Sequence, residues 1–113
     1  MKSKIIALSK NEDFKILIKK SKINNRYIAI YFGKLKNKKL NKLNISFVTK
    51  KRIGNAVSRN KIKRRLRNIM QEALKKININ LNYSYLLIAK NTILNDKYDD
   101  IKNVLFLNFK KIK

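Results

Sequence analysis

The charge of this chain constrains its fold and its function more than any other feature of the sequence. Thirty lysines and arginines stand against six acidic residues and no histidine, which gives a net charge of +24 over 113 residues. Repulsion within such a chain opposes compaction, so we expect a polyanion to neutralise the folded protein. Nucleic acid is the polyanion that this charge favours, and an anionic membrane surface or an acidic protein are the alternatives.

Length and apolar content predict one folded domain spanning residues 1–113. Hydrophobic residues make up 44% of the chain, enough for a core, and the sequence has no proline and no linker-like stretch. No apolar run approaches the roughly 18 residues of a membrane span, and the apolar stretch after Met1 is too short for a signal peptide. Together with the absence of cysteine, these features indicate a cytoplasmic protein with no membrane partner.

Composition also excludes most kinds of catalytic site. Without histidine or cysteine the chain has no imidazole acid–base catalyst, no Ser–His or Cys–His pair and no thiolate metal site. A metal-dependent nuclease needs several carboxylates that converge on divalent ions. The carboxylates of this chain are Glu12, Asp13, Glu72, Asp96, Asp99 and Asp100. Their positions fit helix surfaces and helix starts better, so we expect no catalytic residue, no metal site, no bound cofactor and no small-molecule substrate.

The first predicted element is a short helix near the start of the chain. Ser9 and Glu12 have the spacing of a capping box, in which a hydroxyl and a carboxylate satisfy the first backbone amides. Phe14, Leu17 and Ile18 follow at helical spacing and form an apolar stripe. The stripe predicts that one side of this helix packs against the rest of the protein.

Three segments rich in aromatic and β-branched residues predict strands. They are Arg26–Phe32, Leu43–Thr49 and Tyr83–Ala89. In the first strand, alternation predicts a core face formed by Ile28, Ile30 and Phe32. The opposite face carries Tyr27, Ala29 and Tyr31. Tyrosine rings there suit stacking on exposed bases or packing under a helix. The polar, lysine-rich stretch Gly33–Lys42 predicts a hairpin loop between the first two strands, with a further short strand as an option.

Two more helices are predicted, one over Ala56–Lys76 and one near the C-terminus that Asn95 or Asp96 caps. In the first of them the apolar positions within about 100° of arc are Ile62, Leu66, Ile69, Met70, Ala73 and Ile77. Opposite them lie Asn60, Arg64 and Arg67. The apolar positions of the last helix are Tyr98, Ile101, Leu105, Phe109 and Ile112. The order helix–strand–strand–helix–strand–helix predicts an α+β sandwich, with helices on an open, mixed sheet.

The densest feature of the sequence is Lys50–Arg67, called the basic segment below. It carries nine lysines and arginines, and no acidic residue occurs between Asp13 and Glu72. Backbone amides at a helix start bind phosphate, arginine can bind its oxygens with two parallel hydrogen bonds, and lysine adds a point charge. A solvated helix face is the alternative, but such faces usually mix both signs of charge. The segment therefore predicts a helix that contacts a polyanion.

Part of the basic segment resembles a known motif. The eleven residues Gly54–Arg64 closely resemble the signature of the bacterial ribonuclease P protein component, commonly written Arg-Asn-Arg followed by Lys-Arg and another Arg. Here Arg59-Asn60-Lys61 has lysine at the third position, which keeps the charge but not the two-pronged geometry of arginine. The resemblance extends from Leu8 through the C-terminal helix and includes Asn11–Phe14 and Asn25-Arg26.

This resemblance implies a fold and a function. The family folds as an α–β sandwich similar to a domain of ribosomal proteins, with a left-handed βαβ crossover that is rare among proteins. Its members pair with a catalytic RNA that removes the 5′ leader from precursor tRNA. The RNA uses Mg²⁺ for the chemistry, while the protein helps to bind the leader and widens the range of substrates. The resemblance thus implies a non-catalytic subunit of an endonuclease, with ribonuclease P RNA and precursor tRNA as partners.

The resemblance also implies two RNA-binding surfaces. The residues implied to lie against the catalytic RNA are Lys50, Lys51, Arg52, Arg59, Asn60, Lys61, Lys63, Arg64 and Arg67. The residues implied to line a leader-binding cleft between the first helix and the sheet are Phe14, Ile18 and Tyr31. Ile18 stands where a second phenylalanine is common, and isoleucine cannot stack on a base as an aromatic ring does. Packing in the core is the alternative for Phe14.

Two other functions fit the composition. A ribosomal or ribosome-assembly protein is also small, basic and α+β, and it would bind ribosomal RNA without any effect on tRNA cleavage. A nucleoid protein would prefer duplex DNA, but nothing in the sequence resembles a groove-reading motif. Only the resemblance of Gly54–Arg64 favours the tRNA-processing function over these two.

Overall fold

The computed structural model describes residues 5–8, 11–35, 42–94 and 96–112. In these parts of the chain the strands are β1 (Ile5–Ile6), β2 (Ser21–Asn24), β3 (Ile28–Gly33), β4 (Leu43–Val48) and β5 (Ser84–Ala89). The helices are α1 (Asn11–Leu17), α2 (Ala56–Lys76) and α3 (Tyr98–Lys111), and short 3-10 turns span Lys51–Ile53 and Asn91–Leu94. None of the helices in these ranges combines the length and the apolar character that crossing a membrane requires.

The strands form one mixed sheet in the order β1-β4-β5-β3-β2. β4 and β5 are parallel neighbours joined through α2, and they therefore form a βαβ unit. β3 pairs antiparallel with β5 on one side and with β2 on the other. The predicted α+β architecture, with helices on an open, mixed sheet, is confirmed. The left-handed crossover that the resemblance implies stays a prediction.

The sequence prediction was wrong about the connection between β3 and β4. These strands are not neighbours because β5 lies between them, so Gly33–Lys42 is not a hairpin loop. Three consecutive residues of β5, Tyr85, Leu86 and Leu87, are buried, and a strand that is covered on both faces takes a central place in a sheet. Residues 36–41, where a further short strand was an option, lie outside the described residues.

Two strands were not predicted from the sequence. β1 has only two residues, Ile5 and Ile6, which pair with Leu43 and Asn44 and are too few to show a period. β2 has the polar sequence Ser-Lys-Ile-Asn, and it pairs antiparallel with β3 at the edge of the sheet. Because β2 is an edge strand on which only Ile23 is partly buried, it lacks the apolar alternation that reveals inner strands.

The main core lies between one face of the sheet and the helices α2 and α3. The buried sheet residues on this face include Ile28, Ile30, Ile45, Tyr85 and Leu87. The helices contribute Ile62, Leu66, Ile69, Met70, Ala73, Ile101, Leu105 and Phe109. The predicted apolar stripes of both helices are thus confirmed, with Ile77 and Tyr98 half-buried at their ends. Burying one such large side chain contributes about 1.5–3 kcal/mol, so this layer fixes the orientation of α2 about its own axis.

Helix α1 packs on the other face of the sheet, against β3 and β5. It has seven residues, well below the roughly 12–15 that an isolated helix needs, so tertiary contacts hold it in place. Leu17 supplies the main contact because it is fully buried, whereas Phe14 is half-buried and Ile18, just after the helix, is 48% exposed. The predicted apolar stripe therefore faces the protein at Leu17 and solvent at Ile18. Ser9, the predicted cap, lies outside the described residues.

The start of α3 differs from the prediction. Lys97 occupies the N-cap position without a side-chain cap, and Asn95 lies outside the described residues. Asp96 does not cap the helix because its carboxylate accepts a hydrogen bond from the Tyr27 hydroxyl and lies 3.6 Å from the Arg26 guanidinium. That hydrogen bond raises the pKa of Tyr27 above its ordinary value. Tyr27 is buried within the main core, so its ring is used for packing and not for stacking on bases.

Candidate nucleic-acid interface

The basic segment begins with an exposed turn that one buried residue anchors. The backbone amide of Ile53 donates to the carbonyl of Lys50 over 3.0 Å and closes the 3-10 turn. Ile53 is buried in the main core, whereas Lys50, Lys51 and Arg52 are exposed. Since Ile53 is the one apolar side chain between Thr49 and Ala56, its burial fixes the turn and leaves the three cations in solvent.

Gly54 and Asn55 fix the point at which α2 begins. The Asn55 side chain accepts a hydrogen bond from the Ser58 amide over 2.9 Å and caps the helix. Gly54 approaches this first turn so closely that a Cβ atom there would stand 3.1 Å from the Ser58 Cβ. The other unpaired amides and the helix dipole give this end a partial positive charge, and the first turn has no acidic residue to offset it. The helix start thus favours an anion.

One flank of α2 faces an open groove along β4, called the β4 groove below. Lys63, Arg64 and Arg67 line it from α2, and all three are exposed. The residues that line it from the rest of the protein are Ala7, Phe14, Ile45, Ser46, Phe47, Val48 and Thr49. The groove therefore brings Phe14, predicted for one RNA-binding surface, next to three cations predicted for the other.

The three residues predicted for the leader cleft do not share this groove. Phe14 lines it, but Ile18 and Tyr31 do not. Tyr31 is half-buried on β3 and lies in the same cross-strand row as Ser46, with Leu86 of β5 between them. Because neighbouring strands are about 4.8 Å apart, the backbones of Ser46 and Tyr31 are about 10 Å apart. A bound strand that touches both Phe14 and Tyr31 would have to run across the sheet.

Lys22 lies beside Tyr31 and was not selected from the sequence. It is the cross-strand neighbour of Tyr31, and its Nζ atom lies 5.5 Å from the centroid of the tyrosine ring, within the distance of a cation–π contact. This contact follows from the pairing of β2 with β3, and β2 was not predicted because its sequence is polar.

The other flank of α2 faces α3. Lys61 and Arg65 lie on this flank and line a cavity that Leu94 and Tyr98 close from the other side. Lys61 and Arg64, predicted for one surface, are therefore on different flanks of the helix, and Arg65 was not predicted at all. Of the remaining predicted positions, Asn60 is exposed on the outer face of α2. The Arg59 Nε atom donates to the Asn55 carbonyl over 3.5 Å, so this side chain folds back over the first turn.

The ion pairs between described residues all lie away from the basic segment. Glu72 pairs with Lys76 (3.7 Å) and with Lys102 (3.2 Å), and Asp99 pairs with Lys102 (3.7 Å). The hydrogen bond from Lys102 to Glu72 is the main cause of a raised pKa at Lys102. In the described ranges no ion pair includes a residue of the basic segment. Its nine cations therefore form an uncompensated positive field that attracts phosphate and weakens with ionic strength.

Comparison with known proteins gives the same family from sequence and from structure. The family model described as Ribonuclease P matches residues 3–113. The ribonuclease P protein component of Mesoplasma florum is 36% identical over 100 residues, which cover 88% of this chain and 86% of the relative. That of Carboxydothermus hydrogenoformans is 34% identical over 110 residues, which cover 94% of this chain and 90% of the relative.

Solved structures share the fold. The RNase P protein of Staphylococcus aureus superposes with a TM-score of 0.76 and 28% identity, covering 94% of this chain and 93% of its own. The RNase P protein of Thermotoga maritima superposes with a TM-score of 0.79 over 96% of this chain and 98% of its own, at 21% identity. The second likeness concerns the fold alone.

Proposed function

The chain belongs to the bacterial ribonuclease P protein family, and we propose from this that it is the protein subunit of ribonuclease P. In this role it binds ribonuclease P RNA and the 5′ leader of precursor tRNA in the cytoplasm. It assists the endonucleolytic cut that gives the mature 5′ end of tRNA and broadens the range of precursors that are cut. One observation carries the proposal: the basic segment, which contains the family's signature motif, combines a capped helix start with nine cations that form no ion pair to a described carboxylate.

The basic segment is the surface that we assign to the catalytic RNA. Its exposed turn, Lys50–Arg52, and the cations of α2 would contact phosphates and release the counterions that those phosphates hold. Folding of the RNA then needs fewer divalent ions, because protein charge replaces part of their screening. Arg64 and Arg67 can each bind a phosphate with two hydrogen bonds, whereas Lys63 supplies a point charge.

The leader is assigned to the β4 groove and the sheet face beside it. Phe14 offers a half-buried ring for stacking on a leader base, and such stacking is worth about 1–3 kcal/mol per base. Tyr31, with Lys22 above its ring, offers a second stacking position across the sheet. Ile18 is exposed and can contact a base only through its apolar surface.

The protein is proposed to be a non-catalytic subunit. The chain has neither histidine nor cysteine to move a proton or attack phosphorus, and it has few carboxylates to hold Mg²⁺. The Mg²⁺-dependent chemistry is therefore assigned to the RNA, and the protein is proposed to bind no cofactor of its own.

Cleavage of a precursor tRNA by a bacterial ribonuclease P RNA at low Mg²⁺, with and without the chain, tests this proposal. We expect strong stimulation by the chain and a correct mature 5′ end. Tight binding to that RNA without stimulation would overturn the proposal and favour a ribosomal or ribosome-assembly protein. Absence of binding would also reject the proposed partner.

A further inference from the structure

A second surface combines aromatic rings with cations, and it lies away from the β4 groove. It is an open depression where β3 ends and β5 begins, lined by Lys20, Ser21, Phe32, Gly33, Lys34 and Tyr83. The rings of Phe32 and Tyr83 are half-buried, and their centroids are 5.6 Å apart. This depression is called the aromatic patch below.

The aromatic patch lies on the solvent side of Tyr85, which closes the core at this end of the sheet. Tyr85 is fully buried, and its hydroxyl donates to the Asn80 carbonyl over 2.6 Å. Phe32 stacks on Tyr85 at 6.3 Å between ring centroids, and Tyr83 lies beside Phe32. Phe32 thus has a buried ring behind it, and the aromatic floor of the patch is partly open to solvent.

Cations surround these rings. Lys20 and Lys34 are exposed, and no acidic residue lines the patch. The Cδ atom of Lys20 lies 2.2 Å from where a Cβ atom at Gly33 would stand. The missing side chain lets the apolar stem of Lys20 lie flat across the end of β3. Two lysines therefore accompany two aromatic rings in one depression.

From these features we propose that the aromatic patch binds an unpaired segment of RNA. Its bases would stack on Tyr83 and Phe32, and its phosphates would contact Lys20 and Lys34, which is the usual chemistry of single-strand recognition. Duplex RNA is not a suitable ligand because its base faces are covered by their neighbours. The inference rests on the proposed function, since it assumes an RNA partner, but it adds a site that the basic segment and Phe14 do not include.

The patch is separate from the β4 groove, so the two sites can be tested independently. Gly33 pairs with Ser84 and Ser84 with Asn44, which is two residues before Ser46 on β4. Two strand spacings and two residue rises place the backbone of Gly33 about 12 Å from that of Ser46. A short oligonucleotide therefore cannot fill both sites through the same nucleotide.

The test is titration of the full chain with an unpaired 12-residue oligouridylate and with a 12-base-pair RNA duplex. Affinity is measured for the natural chain, for Tyr83→Ser, for Lys34→Ala and for Tyr83→Phe, which keeps the ring. Ring resonances of Phe32 and Tyr83 are followed by NMR. We expect both resonances to shift with the unpaired RNA and the affinity of Tyr83→Ser to fall about fivefold or more, as for loss of one stacked base, with recovery in Tyr83→Phe. Duplex affinity should not change.

Unchanged affinity of Tyr83→Ser for the unpaired RNA, or ring shifts that the duplex produces equally, would overturn the inference. The double variant Arg64→Ala, Arg67→Ala distinguishes this failure from failure of the proposed function. If the double variant binds RNA weakly while Tyr83→Ser binds normally, the patch is not a site and the proposed function stands. Thermal melting of each variant shows that lost binding is not lost folding.

Discussion

The two halves of α2 bury similar apolar side chains but differ in their exposed charges. Residues 56–67 include six arginines and lysines and no acidic residue. Residues 68–76 include Glu72, which pairs with Lys76 in the same helix and with Lys102 of α3. The second half also ends in Lys75 and Lys76, and cations at a helix C-terminus are favourable.

This difference separates charge that supports folding from charge that opposes it. The first half contains three like-charged pairs at i, i+4 spacing: Arg59 with Lys63, Lys61 with Arg65, and Lys63 with Arg67. Each such pair destabilises a helix by about 0.2–0.5 kcal/mol, and cations near a helix N-terminus also oppose the dipole. Folding alone does not explain this arrangement, whereas binding of phosphates by the first half does.

The largest expected effect is on stability, and it tests the apolar face that both halves of α2 bury. Leu66 is fully buried in the first half of α2, so Leu66→Ala should lower the free energy of unfolding by about 2–5 kcal/mol through lost burial and a cavity. Urea denaturation measures it. A loss below about 1 kcal/mol would show that the first half of α2 is not fixed by the core and that its exposed flanks are not defined.

The next effect tests the exposed flank. Arg64→Ala combined with Arg67→Ala should weaken binding to ribonuclease P RNA and reduce the slope of log affinity against log salt by about 1.4–1.8, for two lost phosphate contacts. The matched control is Lys75→Ala with Lys110→Ala, which removes the same charge from exposed positions outside the basic segment. Equal slopes for the two double variants would mean that net charge, and not this flank, determines binding.

A smaller effect tests whether the cations that bind RNA also destabilise the helix. Lys63→Ala removes two of the like-charged pairs, so it should raise the free energy of unfolding by about 0.5 kcal/mol at low salt while weakening RNA binding. The gain in stability should shrink in high salt because salt screens the repulsion. Thermal melting at two salt concentrations measures this. A loss of stability at low salt would contradict the proposed repulsion.

The smallest effect concerns the paired half of the helix. The pKa of Lys102 is raised chiefly by its hydrogen bond to Glu72, so this contact stabilises the fold below the ordinary lysine pKa of 10.5 and is lost as pH rises through the raised value. Glu72→Gln should therefore melt slightly below the natural chain at pH 8, and the difference should vanish at more alkaline pH. A difference that persists unchanged would show that Glu72 acts through packing.

The sequence predicted those features that depend on local periodicity. The apolar stripe of the 21-residue helix α2 was predicted from Ile62 to Ile77, and helical periodicity placed Arg64 and Arg67 opposite it. The turn at Lys51–Ile53 and the Asn55 cap were not predicted, although they too depend on residue types close in the chain.

Pairing between distant segments could not be predicted in the same way. The place of β5 between β3 and β4 depends on long-range pairing, so the hairpin prediction failed. Tyr27 precedes the first residue of β3, and its position follows from the contact with Asp96 rather than from strand alternation. Only the fold shows that Lys63 faces the β4 groove and Lys61 faces α3. The roles of the individual cations in RNA binding stay predictions.

The most direct test of the contrast within α2 compares two triple variants in precursor tRNA cleavage at low Mg²⁺. One combines Lys63→Ala, Arg64→Ala and Arg67→Ala in the β4 groove, and the other combines Lys75→Ala, Lys97→Ala and Lys110→Ala outside the basic segment. Both lower the net charge by three, and thermal melting confirms that both fold. We expect the first to lose most of its stimulation of the RNA and the second to keep it. Equal stimulation by the two variants would contradict the assignment of RNA binding to the first half of α2.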